Sequence, residues 1–357
     1  MTIAFLTRDF TEVGATIIPG GCAYYRCYLP AAVSGQRAKI GKPIFDPIKG
    51  FGVKETNQTA LFGFKTVMLK LLMDRATSKQ MDLARHNAKQ QFIVDIDDYY
   101  QGLTPANRAY GLTDPEENKK TNRDYYEQVI ANADMITVST PYLYDYYSNR
   151  YPNVRMIRNS VNINQFLDNK PNHNNTPTLG WAGATNYRNN DLEQLREWLP
   201  DFLEENNLMF HHAGHSEDAP PFAEVTGVNP KRVTTSPIVP ITEYARGLSF
   251  DIGVVPLNNI PFNEAKSNIK GLEYAAAGIP FIASDLPEYR LLHEDGVGSL
   301  ATTPQEWKAA AERLLDRRTR AVESKRIRDT VSQKWSIEQR AGEWSELFRF
   351  TAEDRNP

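Results

Sequence analysis

Cysteine is scarce: Cys22 and Cys27 are the only two in 357 residues. That excludes a disulfide framework or a cysteine-ligated zinc cluster and suits a reducing compartment. No run of about 18 uninterrupted apolar residues occurs, so no membrane-spanning helix is expected. The opening Met1-Thr-Ile-Ala-Phe-Leu-Thr-Arg8 lacks the length and cleavage site of a signal peptide, and a soluble, cytoplasmic protein is the expectation. Neither sign of charge dominates: 41 Lys and Arg stand against 44 Asp and Glu, a net charge of −3 that gives no global pull towards nucleic acid or anionic lipid. No Gly-x-Gly-x-x-Gly follows the first strand candidate and no Walker loop occurs, which removes the usual dinucleotide and P-loop sites. Repeats of solenoid period and low-complexity tracts are absent too.

What is present is enough apolar material, 41%, for two ordinary cores, and a length that favours two domains. Short apolar runs at Ile3 to Thr7, Thr66 to Met73, Phe92 to Ile96 and Met135 to Ser139 alternate with helical spacing over Cys22 to Ser34 and Ala76 to Gln90. Such alternation predicts a parallel sheet with helices on both faces. Leu167 to Thr178 is rich in Asn and Pro without apolar periodicity, which predicts a linker over 167–178 between domains 1–166 and 179–334. Beyond it the alternation restarts, with strands at Leu179 to Ala182, Leu208 to His212, Ile252 to Pro256 and Phe281 to Ala283, and a helix over Asp191 to Glu205. The segment 335–357, with Trp335, Ile337, Trp344, Leu347 and Phe348, predicts an apolar-faced helix from Trp335 to Phe350 that must pack on something.

The stretch from Pro261 to Phe281 carries the most chemistry. It places Lys266, Ser267, Asn268 and Lys270 just before and inside the start of an apolar helix that bears Glu273 and stops at Gly278-Ile279-Pro280. A helix N-terminus flanked by lysines seats a diphosphate, and a carboxylate further along can accept from a ribose diol. The plainer alternative is an amphipathic helix with a solvated basic start. Gly20-Gly21 reads either as a loop that lets backbone approach a phosphate or as a plain turn. Asp95-Ile-Asp97-Asp98-Tyr-Tyr100 ends a buried strand, where ligands gather in open α/β sheets; helix capping or a solvated turn is the alternative. The run Phe210-His-His-Ala-Gly-His215 offers a weak metal pattern, because adjacent strand residues point to opposite faces. Arg26 reads as a surface residue, with reach to phosphate or acceptor as the alternative, and the mixed-charge helix from Arg313 to Asp329 reads as a solvated face.

Together these pieces resemble the GT-B glycosyltransferases, in particular the large retaining family of glycogen- and sucrose-synthase-like enzymes and bacterial polysaccharide transferases. The resemblance is carried by Asp251-Ile-Gly-Val-Val-Pro256 and Leu272-Glu-Tyr-Ala-Ala-Ala-Gly-Ile-Pro-Phe-Ile-Ala-Ser284. Weaker matches follow in order: Gly20-Gly21, Ala133 to Ser139, Asn159 to Phe166 and Gly180 to Gly183. It implies two doubly wound Rossmann-like domains facing each other across a cleft, with the last helix crossing back to the first. It also implies a nucleotide-diphosphate sugar as donor substrate, a hydroxyl acceptor (glycan, protein, lipid or modified nucleic-acid base), retention of configuration and no required cofactor or metal. Residue by residue, Glu273 takes the ribose role, while Ala265 stands where the family's first glutamate is usual and Glu264, one place early, is the candidate catalytic group that would reach the donor sugar through a shifted loop. Ala184 replaces a usual arginine, leaving Arg188 with Lys266 as the phosphate clamp. Gly20, Gly21, Ser267, Asn268 and Lys270 complete the donor site. Asp97 and Asp98 fall where a histidine often lines the acceptor cleft, positioned to orient or deprotonate the acceptor. Two rivals stay open: a metal-dependent GT-A transferase using Asp95 and Asp97, and a non-catalytic sugar-nucleotide-binding protein.

Overall fold

The computed structural model describes residues 2–13, 16–54, 59–169, 175–186 and 188–353. Residues 170–174 of the expected linker lie outside the described residues. The chain builds β1 (Thr2–Thr7), a hairpin of β2 (Phe10–Val13) and β3 (Thr16–Pro19), then β4 (Arg37–Asp46), β5 (Gly50–Lys54), β6 (Thr66–Lys70), β7 (Gln91–Ile96), β8 (Met135–Val138) and β9 (Val154–Met156). Seven of these form one sheet in the order β5-β4-β1-β6-β7-β8-β9, parallel except for the β4–β5 pair. The second body contains β10 (Thr178–Ala182), β11 (Met209–His215), β12 (Val233–Pro237), β13 (Ile252–Val255), β14 (Phe281–Ser284) and β15 (Ser299–Ala301), ordered β12-β11-β10-β13-β14-β15 and all parallel.

Central strands of such sheets are covered on both faces, so they read as continuous apolar runs rather than alternating ones. Phe92, Ile93, Val94 and Ile96 of β7 are all fully buried, as are Ile3, Ala4, Phe5 and Leu6 of β1. In each sheet the chain leaves its first strand to one side and later returns on the other, creating a switch point between β1 and β6 and another between β10 and β13. Ligands bind at the carboxyl ends of strands at such points.

The first helical segment is irregular: α-helix over Gly21–Ala23, a π-turn over Tyr24–Tyr28, and α-helix again over Leu29–Val33. The wider turn buries Tyr25, Arg26 and Cys27 in succession. Arg26 is therefore not the surface residue the sequence suggests. It is fully buried, with Nη2 2.6 Å from Asp95 Oδ1 and Nη1 donating to Ile157 O at 2.7 Å.

The expected helix over Asp191 to Glu205 is broken into a 3₁₀ turn, Asp191–Leu195, and a helix, Leu199–Glu205, with Pro200 in its first turn. The Asp191 carboxylate is committed to the Asn258 backbone N–H and the Asn263 amide. The expected solvated face is breached by Arg320, fully buried and donating to the carbonyls of Leu314 and Leu315.

The long helix Arg317–Lys334 ends at Trp335, and the chain turns through Ser336 and Ile337 before the final helix, Ala341–Glu353. The tail helix thus begins six residues later than the sequence suggests, because Trp335 and Ile337 are spent on a crossing strand: Val161 N–H donates to Trp335 O and Ile337 N–H to Val161 O. The final helix then packs on the first body, with Phe348 edge-on to Phe5 at 5.6 Å and Trp344 beneath the Arg26 guanidinium at 5.0 Å.

Candidate functional site

A cavity of about 330 Å³ opens at the carboxyl ends of both sheets. The first body contributes Gly21, Cys22, Tyr25, Asp97 and Asp98, the second Gly183, Arg188, Tyr244, Lys266, Ser267, Lys270 and Glu273. A slightly larger cavity of about 360 Å³, lined by Thr178, Arg246 and Asp251, sits at the opposite edge, where β10 begins and the approach to β13 lies. Strand starts are not where open α/β sheets bind ligands, and it collects few groups of one chemistry.

On the second body three cations and one carboxylate line the cavity. Lys270, in the first turn of the helix Ile269–Ala276, donates to Ala182 O, and burial lowers its pKa to about 8. Arg188 lies over the Trp181 ring at 5.2 Å, its Nε donating to Ala184 O at 3.1 Å, and burial also lowers its pKa. Gly183, at φ +148, gives it room: a Cβ there would stand 2.7 Å from the Arg188 guanidinium. Lys266 Nζ rests 4.5 Å from the Phe262 ring and 3.4 Å from Asp98 Oδ1. Glu273 is buried and accepts from Tyr25 OH at 2.7 Å and Tyr244 OH at 2.9 Å; burial raises its pKa. Ser267 Oγ accepts from Asn159 Nδ2 at 2.7 Å.

The first body presents an acid corner. Asp97 forms a buried ion pair with Lys70, whose side chain is fully shielded at the end of β6. Burial by itself would push the Asp97 carboxyl up, but the charge and hydrogen bond of Lys70, helped by a Cys22 hydrogen bond and the Arg26 charge, together hold Asp97 below the usual range. Asp98 moves the other way: burial, reinforced by the nearby Asp97 charge, raises it against the pull of Lys266. Burial likewise raises Asp9 and pushes the Cys22 thiol well up. Gly20 is held against Asp9, its N–H donating to Asp9 O at 2.8 Å, and a Cβ would fall 1.9 Å from Asp9 Oδ1. Gly21 faces the cavity with open space around its Cα.

Most residues singled out in the sequence therefore surround one space, but some do not. Asn268 turns inward, donating to Glu288 O at 3.0 Å. Glu264 ends the short helix Pro261–Glu264 and is not among the cavity's lining residues; Tyr142 is the group it influences. Ala265, in the place of the family's first glutamate, is fully buried, and its carbonyl accepts from Thr140 Oγ1 at 2.9 Å. Asp95 is fully buried under Arg26 and Thr137, so Asp95 and Asp97 do not face one ligand.

Among the described residues, one group has three donors within 4.8 Å of one another: Cys22, Asp97 and Asp98. Both carboxylates in it already face a lysine, Lys70 and Lys266. In the run Phe210 to His215, His211 and His212 are engaged within the second body. His212 Nε2 donates to Gly183 O at 2.8 Å and its pKa falls to about 4 through burial, while His211 pairs with Thr234 and Ser236 hydroxyls.

Sequence reasoning missed Lys70, Tyr25, Tyr244 and Cys22. Only Lys70 carried a signal, a lone lysine closing an otherwise apolar strand.

Residues 176–317, the bulk of the second body, match the family model described as "Glycosyl transferases group 1". No curated protein matches the chain. Among solved structures, sucrose-phosphate synthase from Thermosynechococcus elongatus is similar at 14% identity over 98% of this chain and 99% of that one, with a TM-score of 0.66. HepE (Alr3699) of Anabaena, solved with UDP-glucose, is similar at 15% identity, with the same coverage and a TM-score of 0.61. A glycosyltransferase from Rickettsia africae covers 98% of this chain and 97% of its own at 12% identity and a TM-score of 0.61. At these identities the likeness establishes the GT-B fold. No helix among the described residues is long and apolar enough to cross a membrane.

Proposed function

We propose that this chain, a GT-B transferase whose second body is a glycosyl transferases group 1 domain, moves a sugar from a nucleotide-diphosphate sugar to a hydroxyl acceptor with retention and without a metal. The observation that carries the reading is the convergence of Arg188, Lys266 and Lys270 with the second body's Glu273 on one cavity at the carboxyl ends of both sheets. Departure of the nucleotide builds negative charge on the diphosphate, and preorganised cations in a water-poor cleft stabilise it most where it develops. Lys266, Arg188 and Lys270 meet that charge, with Ser267 beside them and Gly21 giving close approach from the other body. Glu273 accepts from the ribose diol. Asp97, kept ionised by Lys70, orients the acceptor hydroxyl, and Asp98, whose carboxyl is raised, takes its proton as the acceptor oxygen bonds to the anomeric carbon on the face from which the diphosphate departs, which keeps the configuration. Glu264 has no part in this reading.

Mass spectrometry of the protein incubated with a panel of nucleotide sugars tests it, by release of nucleoside diphosphate from one of them. Lys266→Ala and Glu273→Ala should each slow that release about a hundredfold, roughly 3 kcal/mol, while the fold survives. Undiminished turnover in the lysine variant would rule out the site. The three-donor group of Cys22, Asp97 and Asp98 keeps a metal-assisted variant in view. Turnover abolished by EDTA and restored by Mn²⁺ would favour it, whereas the present reading expects no loss.

A further inference from the structure

Two of the three polar contacts by which donor-binding groups of the second body reach the first body share a pattern; the third, Asn159 Nδ2 donating to Ser267 Oγ, joins two neutral groups. Glu273 is met by the Tyr25 hydroxyl at 2.7 Å, and Lys266 by the Asp98 carboxylate at 3.4 Å. We propose that Tyr25 and Asp98 are built-in stand-ins for the nucleoside diphosphate, Tyr25 taking the place of a ribose hydroxyl at Glu273 and Asp98 that of a phosphate oxygen at Lys266. The inference rests on the donor reading above and adds how that site is regulated: nucleotide binds by exchange, displacing two first-body groups, rather than by simple addition.

The chemistry explains why such stand-ins are needed. Glu273 is only 6% exposed, and a buried carboxylate without donors is costly. Its two oxygens each receive one hydroxyl, Oε1 from Tyr25 and Oε2 from Tyr244, the pairing that a vicinal diol offers to a carboxylate. Tyr244 belongs to the same body as Glu273 and is 29 residues away, whereas Tyr25 is 248 residues away and arrives on the π-turn. Only the second hydroxyl can therefore leave with a movement of the first body. Lys266 has the same choice between a carboxylate oxygen and a phosphate oxygen, both anionic acceptors for one ammonium. Once a diphosphate takes Lys266, Asp98 loses the cation that masks it and becomes a carboxylate facing the acceptor, so the base is uncovered only when a donor is in place. Other ties between the bodies, such as Arg158 to Glu288 and Thr140 to Ala265 O, involve none of the proposed donor groups and persist through the exchange, while the Asn159 amide at Ser267 Oγ imitates neither a ribose hydroxyl nor a phosphate oxygen.

Titration calorimetry of the full chain with UDP, GDP and ADP, followed by the tightest binder's 2′,3′-dideoxy counterpart, tests the proposal. Tyr25→Phe should bind the ribonucleotide about threefold more tightly, the size of one net hydrogen bond no longer competing, and the dideoxy form no more tightly than wild type. Asp98→Asn should tighten diphosphate binding by a similar factor, and that gain should vanish in a Lys266→Ala background. Unchanged or weaker binding in both single variants overturns the proposal, as does an equal gain of Tyr25→Phe for the dideoxy nucleotide. Should Tyr25→Phe fail to fold, as judged by its melting curve, the Asp98 and Lys266 cycle decides alone. If wild type binds none of the three nucleotides, the donor reading itself falls, a result distinguishable from the variants' failing to gain.

Discussion

Replacing Lys70 by methionine isolates the charge that the acid corner depends on. Lys70 is fully shielded and its ion-pair partner Asp97 is 9% exposed. Asp97 is held below the usual carboxylate range and Lys70 well above the usual lysine range. The signs follow from those directions. A depressed carboxylate contributes stability that is present above its ordinary pKa and lost as pH falls through the folded value. A raised lysine contributes stability that is present below its ordinary pKa and lost as pH rises through its folded value, so the pair stabilises across roughly pH 4 to 10. Methionine keeps the apolar stem but leaves Asp97 buried beside Asp9 and Asp98 with its cation removed, and breaking a buried pair this way costs about 3–5 kcal/mol. At about 2 °C per kcal/mol for a chain of this size, the variant should melt roughly 6–10 °C lower at pH 7.5. Without Lys70, burial and the neighbouring carboxylates raise Asp97 above its ordinary value, so it takes up a proton as pH falls and the penalty shrinks. Melting curves followed by circular dichroism at pH 8, 6.5 and 5 should therefore show the gap between variant and wild type closing with acid, and Lys70→Met with Asp97→Leu should recover most of the loss. A gap under 1 kcal/mol, or one of equal size at all three pH values, would refute the reasoning.

Lys270, with its pKa near 8, should lose its charge between pH 7 and 9, so nucleoside diphosphate affinity should fall over that interval. Lys270→Arg should flatten the dependence because guanidinium stays charged; a wild-type profile that is already flat counts against the clamp. Deleting everything after Lys334 removes Trp335, Trp344, Leu347 and Phe348, all at most 5% exposed, and should give an aggregating or low-melting protein. A soluble truncation with an unchanged melting temperature would sink that expectation.

How much of this was legible in the sequence depended on whether the cause was local. The buried strands β7 and β8 announce themselves as short apolar runs, and the helix of Lys270 and Glu273 is bounded by its own Asn268 and Gly278-Ile279-Pro280. Both sheets and most of the donor groups follow from such signals. Arg26 did not, because its partner Asp95 is 69 residues away and nothing near it in sequence marks a buried charge. That Glu264 falls outside the cavity lining is equally hidden, since the neighbouring Ala265 carbonyl is held by Thr140, 125 residues from it. The crossing of Trp335 and Ile337 against Val161 shortened the tail helix, an effect that helical periodicity cannot register. Tyr25 and Tyr244 carry no local mark of a polar role; only the fold brings both hydroxyls to one carboxylate.

The returning helix inverts the order in which the two bodies can be finished during synthesis. β1 is made well before the final helix, yet its inner face, with Ile3 and Phe5, shares a core with Trp344, Leu347 and Phe348 of that helix. At ordinary elongation rates a ribosome needs roughly 20 to 70 s for a chain of this length, and the first body waits most of that time for its cover. The second sheet, continuous from 178 to 301, has no such wait. The half made first is completed last, and its uncovered face is the surface that nascent-chain chaperones meet.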